Sequence, residues 1–362
     1  LLSRINSQEW KETEARLQRQ HQQFLDSKEH CRELKTKHDR LKKGTAQKAE
    51  IFQEYTEMDI HYKTMERETQ RMMKERDGIE SSVPIYLNSA LKSFLSALTA
   101  AGTDAKDLSS DIFRMVSLWF SSQNDSDDDS NANDVMREGF CHIPSYRFVP
   151  LTNQLFSRIE SCEYRKDQHF QKVLHDLIFR MCYDHPYHCL VPLIALTNGK
   201  MVGSAAGGRI STYLENTGDS KIVGATNIIE KLSKSESQFV RDLLESYMAL
   251  TSSYNDLAHA STKKYQANQR RKKKIKFSDI FKSSSRKSLD RCLSKLMAAP
   301  CIITSPPMIR PGKDYGDGKE DPIGAERIAS FESEFSITDS GIHRPKIVVC
   351  IGSQGGSFRQ LV

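Results

Sequence analysis

The first eighty residues carry a sevenfold pattern of apolar positions, which is typical of long helices. Residues 3–80 contain no proline and only two glycines, Gly44 and Gly78. One apolar stripe runs before Gly44 and another runs after it. The stripes consist of Trp10, Leu17, Phe24 and Cys31, and then of Ile51, Met58, Met65 and Met72. The pattern predicts two helices, roughly 5–42 and 47–77, joined near Gly44 as an antiparallel hairpin. A coiled-coil dimer and a larger helical array are the two alternatives, and the lack of a sustained second apolar position favours the array.

Helical patterning continues from Pro84 to about residue 257. Pro84 is predicted to begin a new helix, and helical spacing recurs over about 108–119, 150–159, 170–181, 190–196 and 222–257. A polar run with five aspartates interrupts the pattern from Ser121 to Asp134. It is predicted to be a mobile loop, because such a run cannot bury apolar surface. Binding of a divalent ion is the less favoured alternative, because the run lacks the glycine and the terminal glutamate of an EF-hand.

Asp184, His185 and His188 lie close together in the sequence DHPYH. One interpretation is a catalytic or metal site. The favoured interpretation is that Pro186 opens a new helix, with Asp184 or His185 capping it, because no nucleophile or further ligand accompanies the group. The eight cysteines show no CxxC spacing and no zinc-ligand pattern with histidine, which favours reduced thiols in an intracellular protein. We therefore predict no catalytic residue and no metal ligand.

The last sixty residues change from a helical period to a period of two. Four prolines between residues 300 and 311 end the helical pattern. Alternation begins at Glu326, an apolar run follows over 345–351, and a glycine-rich turn at 352–356 leads into a third strand at 357–362. The chain is thus predicted to be mostly α, an antiparallel array of helices followed by a short antiparallel β meander. Apolar residues make up 38%, enough for a buried core, and no window is apolar enough to predict a transmembrane helix.

Charge adds one candidate surface. The formal net charge is +6, and Arg270–Lys274 is an uninterrupted cationic run. The run is interpreted as a solvated surface, a nuclear import signal or a nucleic-acid contact. Tyr265 is the only aromatic residue of the surrounding segment, so stacking on bases has little support.

Several segments together resemble one known family. The last residues, RPKIVVCIGSQGGSFRQLV, resemble the start of the kinase domain of the phosphatidylinositol-3-kinase-related protein kinases. The segments IPSYRFVPL at 143–151 and DHPYH at 184–188 resemble the helical FAT domain of the same family, and ERIASFESEF at 326–335 resembles its first kinase strand. The resemblance implies a FAT-type region over 1–258, a basic helix and linker over 259–325, and the first strands of the kinase N-lobe over 326–362.

The resemblance implies a nuclear serine/threonine kinase that responds to DNA double-strand breaks. Such a kinase uses ATP and magnesium to phosphorylate partner proteins at Ser/Thr-Gln sites, and its FAT helices help to form a homodimer. The turn in the family's phosphate-binding position consists of Thr338, Asp339, Ser340, Gly341, Ile342, His343 and Arg344. Its small residues would let backbone N–H groups approach a phosphate and Arg344 would add positive charge, whereas Asp339 would repel phosphate unless it points away.

In this family the nucleotide-binding lysine and the catalytic residues follow the strand that here ends at Val362. The resemblance therefore implies that these 362 residues alone lack the catalytic core, bind no ATP or magnesium and act only as a scaffold. Two other classes remain open. One is a non-enzymatic helical scaffold for protein interactions, and the other is a basic nucleic-acid-binding protein.

Overall fold

The structure of the chain is a computed structural model. It describes residues 8–101, 108–122, 130–162, 168–198, 212–260, 274–277, 302–319, 325–338 and 345–362. Within these ranges, nine α-helices precede or flank one five-stranded antiparallel sheet. The predicted fold class, a mostly helical array followed by a β meander, is confirmed. The chain divides into two compact units, Leu1–Ser93 and Phe94–Val362.

The first unit is the helical hairpin that the sevenfold pattern predicted. Its helices are α1 (Gln8–Arg40) and the first part of α2 (Ala46–Ala100). Phe24 stacks on Tyr62 at a ring distance of 5.3 Å, and His38 meets Phe52 at 5.4 Å. Phe24 precedes His38 on α1, whereas its partner Tyr62 follows Phe52 on α2, so the two helices are antiparallel.

The predicted helix start at Pro84 is wrong, because α2 continues through that residue to Ala100. A proline inside a helix lacks one N–H, and here the carbonyl of Glu80 loses its usual donor. The serine hydroxyls of the preceding turn bond to backbone carbonyls, Ser81 to Gly78 O at 3.1 Å and Ser82 to Ile79 O at 2.7 Å. The strong helical pattern on both sides of Pro84 prevails over this single lost bond.

The second unit has a helical body around one buried tryptophan. After the last residues of α2 come α3 (Ser109–Ser121), α4 (Ser130–Phe140), a 3-10 helix (Ser145–Leu151), α5 (Thr152–Phe156), α6 (Gln168–Asp184), α7 (Pro186–Thr197), α8 (Thr212–Ser233) and α9 (Gln238–His259). Trp119 is fully buried, with its ring 4.8 Å from that of Phe170 and 5.4 Å from that of Phe140. The predicted helical stretch 222–257 is two helices, and the Ser237 hydroxyl caps the second by accepting a bond from the Val240 N–H.

The polar run predicted as a loop has helical ends. Residues 123–129, which include the candidate ion ligands Asp125, Asp127 and Asp129, lie outside the described residues. The prediction is wrong at the other end, where α4 begins at Ser130. Asn133 is buried there and accepts a 2.7 Å hydrogen bond from Trp119 Nε1. A polar side chain can thus enter this core because the indole supplies its partner.

The sheet lies at the end of the chain and has β4 at its centre. Its strands are β1 (Lys274–Lys276), β2 (Ile328–Phe331), β3 (Glu334–Ile337), β4 (Lys346–Gly352) and β5 (Ser357–Leu361). On one edge β4 pairs with β3 and then with β2, and on the other edge it pairs with β5. The single strand predicted from Glu326 is two short strands, β2 and β3. The backbone changes partners between them: the Glu332 N–H still donates to the Val349 carbonyl of β4, whereas the Ser333 carbonyl accepts from the Phe277 N–H, next to β1.

Strand β1 is absent from the sequence predictions. It adds the last residue of the cationic run, Lys274, to the edge of β3. Ile275 is buried between the two exposed lysines Lys274 and Lys276, a pattern too short to separate from a basic loop. Arg270 to Lys273 lie outside the described residues. Across the described ranges, none of the helices is both long and apolar enough to span a membrane.

Candidate functional site

The predicted phosphate-binding turn lies between β3 and β4. Asp339, Ser340, Gly341, Ile342, His343 and Arg344 are outside the described residues, so their role stays a prediction. Thr338 is described, and its N–H donates to the Pro345 carbonyl at 2.9 Å. Ile337 and Lys346 pair just below this bond. The two ends of the turn are therefore held together as a hairpin.

Lys346, the first residue of β4, attaches this hairpin to the helical body. Its side chain is buried, with 5% exposed. Its Nζ donates to the carbonyls of Leu257 and Ala258, both at 2.6 Å. These carbonyls belong to the last turn of α9, where a helix has unpaired acceptors and the negative end of its dipole. Burial lowers the pKa of Lys346, since low polarity disfavours the charged ammonium.

Apolar side chains surround this contact. Leu257 of α9 is buried together with Ile275, Phe335 and Val348, which come from β1, β3 and β4. Partly buried residues complete the cluster: Phe277, Phe331, Ile337 and Val362. The end of α9 therefore lies on one face of the sheet, and the ammonium of Lys346 reaches its carbonyls through an apolar layer. We call this contact, formed by residues 254–258 with Lys346, Gln360 and the cluster, the helix–sheet junction.

Strand β5 joins the junction through one amide side chain. The Tyr254 hydroxyl donates to Gln360 Oε1, and Gln360 Nε2 donates to the Thr304 carbonyl at 3.1 Å. The Tyr254 ring also meets the Phe331 ring edge-on at 6.3 Å. Gln360 thus connects the sheet both to α9 and to the linker of residues 302–319.

The linker lies against the helices that precede the sheet. His188 Nε2 donates to the Pro307 carbonyl at 2.8 Å, and the Tyr315 N–H donates to the Asp184 carbonyl at 2.7 Å. Gly316 follows where a Cβ atom would lie 2.4 Å from a backbone oxygen, that of Tyr183. Only glycine fits at that position, so the linker follows a defined path over α6 and α7.

The DHPYH segment lies under this linker. The predicted helix start at Pro186 is confirmed, and His185 occupies the N-cap position, where its carbonyl accepts the N–H groups of His188 and Cys189. Its side chain makes no capping bond. Asp184, the other candidate cap, is engaged elsewhere: its Oδ2 accepts a 2.5 Å hydrogen bond from the Ser145 hydroxyl. Arg180 Nε lies 3.5 Å from the same oxygen. The carboxylate bonds across the fold, which leaves it unavailable to the helix that follows.

A serine beside a histidine, as in Ser145 and His185, can form a nucleophile and its base, but the hydrogen bonds here exclude that role. His185 Nε2 lies 3.1 Å from Ser145 Oγ. The serine proton is committed to Asp184, so His185 must donate to the hydroxyl rather than accept from it. Burial, the nearby His188 and then Arg180 lower the pKa of His185 to about 4. Sequence reasoning missed Ser145 because it lies 39 residues before Asp184. Among the described residues no cluster of potential metal ligands is present.

Comparison with known proteins identifies similar kinases. No protein-family model matches the chain. The serine/threonine-protein kinase ATM of Arabidopsis thaliana is 25% identical over 337 residues, which cover 89% of this chain and 8% of that protein. The serine-protein kinase ATM of Sus scrofa is 28% identical over 69% of the chain, and the TEL1 kinase of Gibberella zeae is 28% identical over 80%. The chain spans about 8% of the length of these relatives.

Solved structures share the fold. The FAT and kinase domain of CtTel1 aligns with 99% of this chain and 20% of its own, with a TM-score of 0.59 and 20% identity. A complete CtTel1 dimer with C2 symmetry gives the same TM-score and covers 99% of this chain and 11% of its own. The resemblance found in the sequence is therefore confirmed. The chain is similar to a segment of ATM and Tel1 kinases, and it shares its fold with the FAT and kinase region.

Proposed function

We propose that this chain forms the part of an ATM-like serine/threonine protein kinase in which the FAT-type helices support the kinase N-lobe. The observation that carries the proposal is the pair of 2.6 Å bonds from Lys346 to the end of α9. Lys346 follows the predicted phosphate-binding turn by two residues, so the helical body anchors the base of that turn. The similarity to ATM and Tel1 kinases over most of the chain supports the same proposal.

In this proposal the turn from Thr338 to Arg344 would hold the phosphates of ATP, and a magnesium ion bound with them would supply charge neutralisation. Phosphoryl transfer depends mainly on positioning and on electrostatic stabilisation. The described residues would contribute to the positioning. Thr338 and Pro345 close the hairpin beneath the turn, and Lys346 fixes that hairpin to α9. The segment thus acts as a scaffold for the nucleotide site.

The family resemblance found in the sequence implies finer proposals. We place the whole protein in the nucleus, in the response to DNA double-strand breaks, with Ser/Thr-Gln sites in proteins of DNA-damage signalling as its substrates. We also propose a homodimer formed through the helical region, in line with the symmetric dimer of CtTel1. Exposed apolar side chains on α2 support it, among them Phe52, Ile60 and Ile85, each more than half exposed. Direct contact of Arg270–Lys274 with nucleic acid is the less favoured role of that run.

The test is phosphoryl transfer by the gene product that carries this chain, purified from its own cells. It is incubated with ATP and magnesium and with two peptides that differ only in Ser-Gln against Ser-Ala. We expect phosphate on the Ser-Gln peptide. Arg344→Glu should lower the rate at least about tenfold by placing a negative charge beside the phosphates.

Arg310→Glu is the matched control, since Arg310 is an exposed arginine of the linker and should tolerate the same charge reversal. Absence of transfer to every serine or threonine peptide would contradict the kinase proposal. Equal transfer to both peptides would contradict only the requirement for glutamine. An unchanged rate in Arg344→Glu would contradict the phosphate-binding role of the turn.

A further inference from the structure

A pocket of about 400 Å³ lies between α6 and α8, in a part of the second unit that the proposed kinase function does not use. Its walls carry a thiol, two imidazoles and three cations: Cys162, His169, His175, Arg137, Lys172 and Lys231. One acid, Asp176, also lines it and pairs with Lys231 at 2.7 Å. Its size falls within the range of about 300–1,000 Å³ that is usual for small-molecule sites. The pocket therefore combines a potential nucleophile with an excess of positive charge.

The thiol and the imidazole form a hydrogen-bonded pair whose proton positions follow from their partners. Cys162 Sγ lies 3.7 Å from His175 Nδ1, and His175 Nε2 lies 2.9 Å from the Glu160 carbonyl oxygen. A carbonyl oxygen only accepts, so Nε2 must carry the imidazole proton. Nδ1 then presents its lone pair to the sulfur. This is the arrangement in which an imidazole withdraws the proton of a thiol.

The turn that holds the pair is fixed by both neighbouring helices. Glu160 N donates to the Gln171 side chain of α6 at 2.9 Å, and Ser161 N donates to the Ser220 hydroxyl of α8 at 3.0 Å. Gly224 of α8 packs so closely that a Cβ atom there would lie 2.6 Å from the Glu160 oxygen. The carbonyl that orients His175 therefore cannot move far, and the pair keeps its geometry.

We propose that Cys162 is a reactive thiol that forms a mixed disulfide with an acidic low-molecular-weight disulfide of the glutathione class. The proton of Cys162 passes to His175 Nδ1, and the thiolate attacks one sulfur of the incoming disulfide. A new S–S bond forms, the old one breaks, and the leaving thiolate takes up the proton from His175. Cys162 is oxidised, and the disulfide is reduced to one bound half and one released thiol.

Charge explains the preference for an acidic disulfide. The exposed ammonium of Lys172 can receive a carboxylate of the incoming disulfide. Arg137 and Lys231 already pair with Asp134 and Asp176, each at 2.7 Å, so they would share their charge with the ligand. Positive charge at the pocket also stabilises a thiolate.

Burial lowers the pKa of His175, and the hydrogen bond to the Glu160 carbonyl and the charge of Asp176 offset only part of that lowering. The imidazole is therefore neutral near pH 7 and ready to accept the thiol proton.

The chain contains a matched control thiol. Cys141 is exposed, whereas Cys162 is only partly exposed, and the Cys141 thiol donates to the Glu138 carbonyl at 2.8 Å instead of to an imidazole. Exposure alone would make Cys141 the faster of the two. In the proposal Cys162 is faster, because a positioned base raises its thiolate fraction.

The experiment incubates the chain with oxidised glutathione at pH 7 and measures the mixed disulfide at each cysteine by peptide mass spectrometry. We expect Cys162 to react at least about tenfold faster than Cys141. His175→Gln should remove that difference. Equal rates at the two cysteines, or a faster Cys141, would overturn the proposal.

A second variant tests the charge of the pocket without touching the pair. Lys172→Gln should slow the reaction of Cys162 with oxidised glutathione about threefold or more and should leave its reaction with cystamine, a cationic disulfide, as fast or faster. Lys234→Gln, at an exposed lysine that does not line the pocket, should change neither rate. If Lys172→Gln slowed both disulfides equally, the proposed acidic specificity would be wrong.

Discussion

Replacing Lys346 by methionine tests whether the helix–sheet junction holds the fold together. Methionine has a similar length and an apolar stem, so it can stay within the cluster around Leu257. It has no N–H donor. The carbonyls of Leu257 and Ala258 would therefore lose the bonds, each 2.6 Å long, that they receive from Nζ.

The expected cost follows from two opposing effects. Hydrogen bonds from a charged donor contribute about 1.5–3 kcal/mol each, whereas burial of the ammonium costs several kcal/mol that the methionine variant no longer incurs. Leu257 O keeps one partner, since it also accepts the Ala260 N–H at 3.1 Å, whereas Ala258 O loses the one donor it has among the described residues. We expect a net loss of about 2 kcal/mol in the free energy of unfolding.

Hydrogen exchange measures this loss where it occurs. A loss of about 2 kcal/mol corresponds to roughly 30-fold faster exchange, at one factor of ten for each 1.4 kcal/mol. The amides to follow are those at the end of α9 and the N–H groups of Lys346 and Val362, which bond to each other's carbonyls at 2.8 Å. Amides around Trp119 should exchange as before, because that core lies away from the junction.

Lys274→Met is the matched control. Lys274 lies in the same sheet, its side chain is 62% exposed, and it pairs with Glu332 at 3.6 Å. An exposed pair of this kind should change stability by less than about 0.5 kcal/mol. If Lys346→Met were as stable as the parent chain and the end of α9 kept its protection, the burial cost would equal the gain from the bonds, and Lys346 would not anchor the hairpin.

Three further predictions concern other sites. The pKa of His185 is about 4 in the fold against an ordinary 6.5, so between these pH values only the unfolded chain binds the proton. The free energy of unfolding should therefore fall by up to about 3 kcal/mol from pH 6.5 to pH 4. Urea unfolding at both pH values should show a smaller fall in His185→Gln, and equal falls in the two proteins would refute the role of His185. Thr69→Val should stabilise the first unit by about 1 kcal/mol in thermal unfolding, because the buried Thr69 hydroxyl has no partner, whereas Thr64→Val should not, because the exposed Thr64 hydroxyl bonds to a carbonyl at 2.9 Å. Gly316→Ala should cost about 1–3 kcal/mol, because its Cβ would lie 2.4 Å from a carbonyl oxygen at the end of α6; Gly78→Ala, in open space on α2, should instead be neutral or stabilising by up to about 1 kcal/mol, and equal effects at the two glycines would contradict the argument.

Periodicity predicted most elements because burial on one face leaves a regular trace in the sequence. The hairpin around Gly44 and the strand that begins near Lys346 are examples. Pro84 shows the limit of such rules, since a single lost backbone bond does not end a helix with strong patterns on both sides. Strand β1 shows another limit, because one buried isoleucine between lysines is too short a pattern.

The junction could not be predicted because its partners are distant in sequence. The sequence does not distinguish a lysine whose ammonium lies in water from one whose ammonium bonds to the end of a helix. The partner of Lys346, Leu257, is 89 residues away. Ser145 and Asp184 pose the same problem over 39 residues. Cys162 and His175 are only 13 apart, but their pairing depends on a turn without periodicity.

The separation of the junction partners also orders the folding of the chain. The Tyr254 and Gln360 side chains meet across 106 positions, and Lys346 reaches α9 across 89. A ribosome releases the helices first, so the last carbonyls of α9 remain in water until β4 has been made. Contacts of such long range close late and slowly. The apolar surface around Leu257, which the sheet buries in the complete fold, therefore stays exposed until the last strands are made.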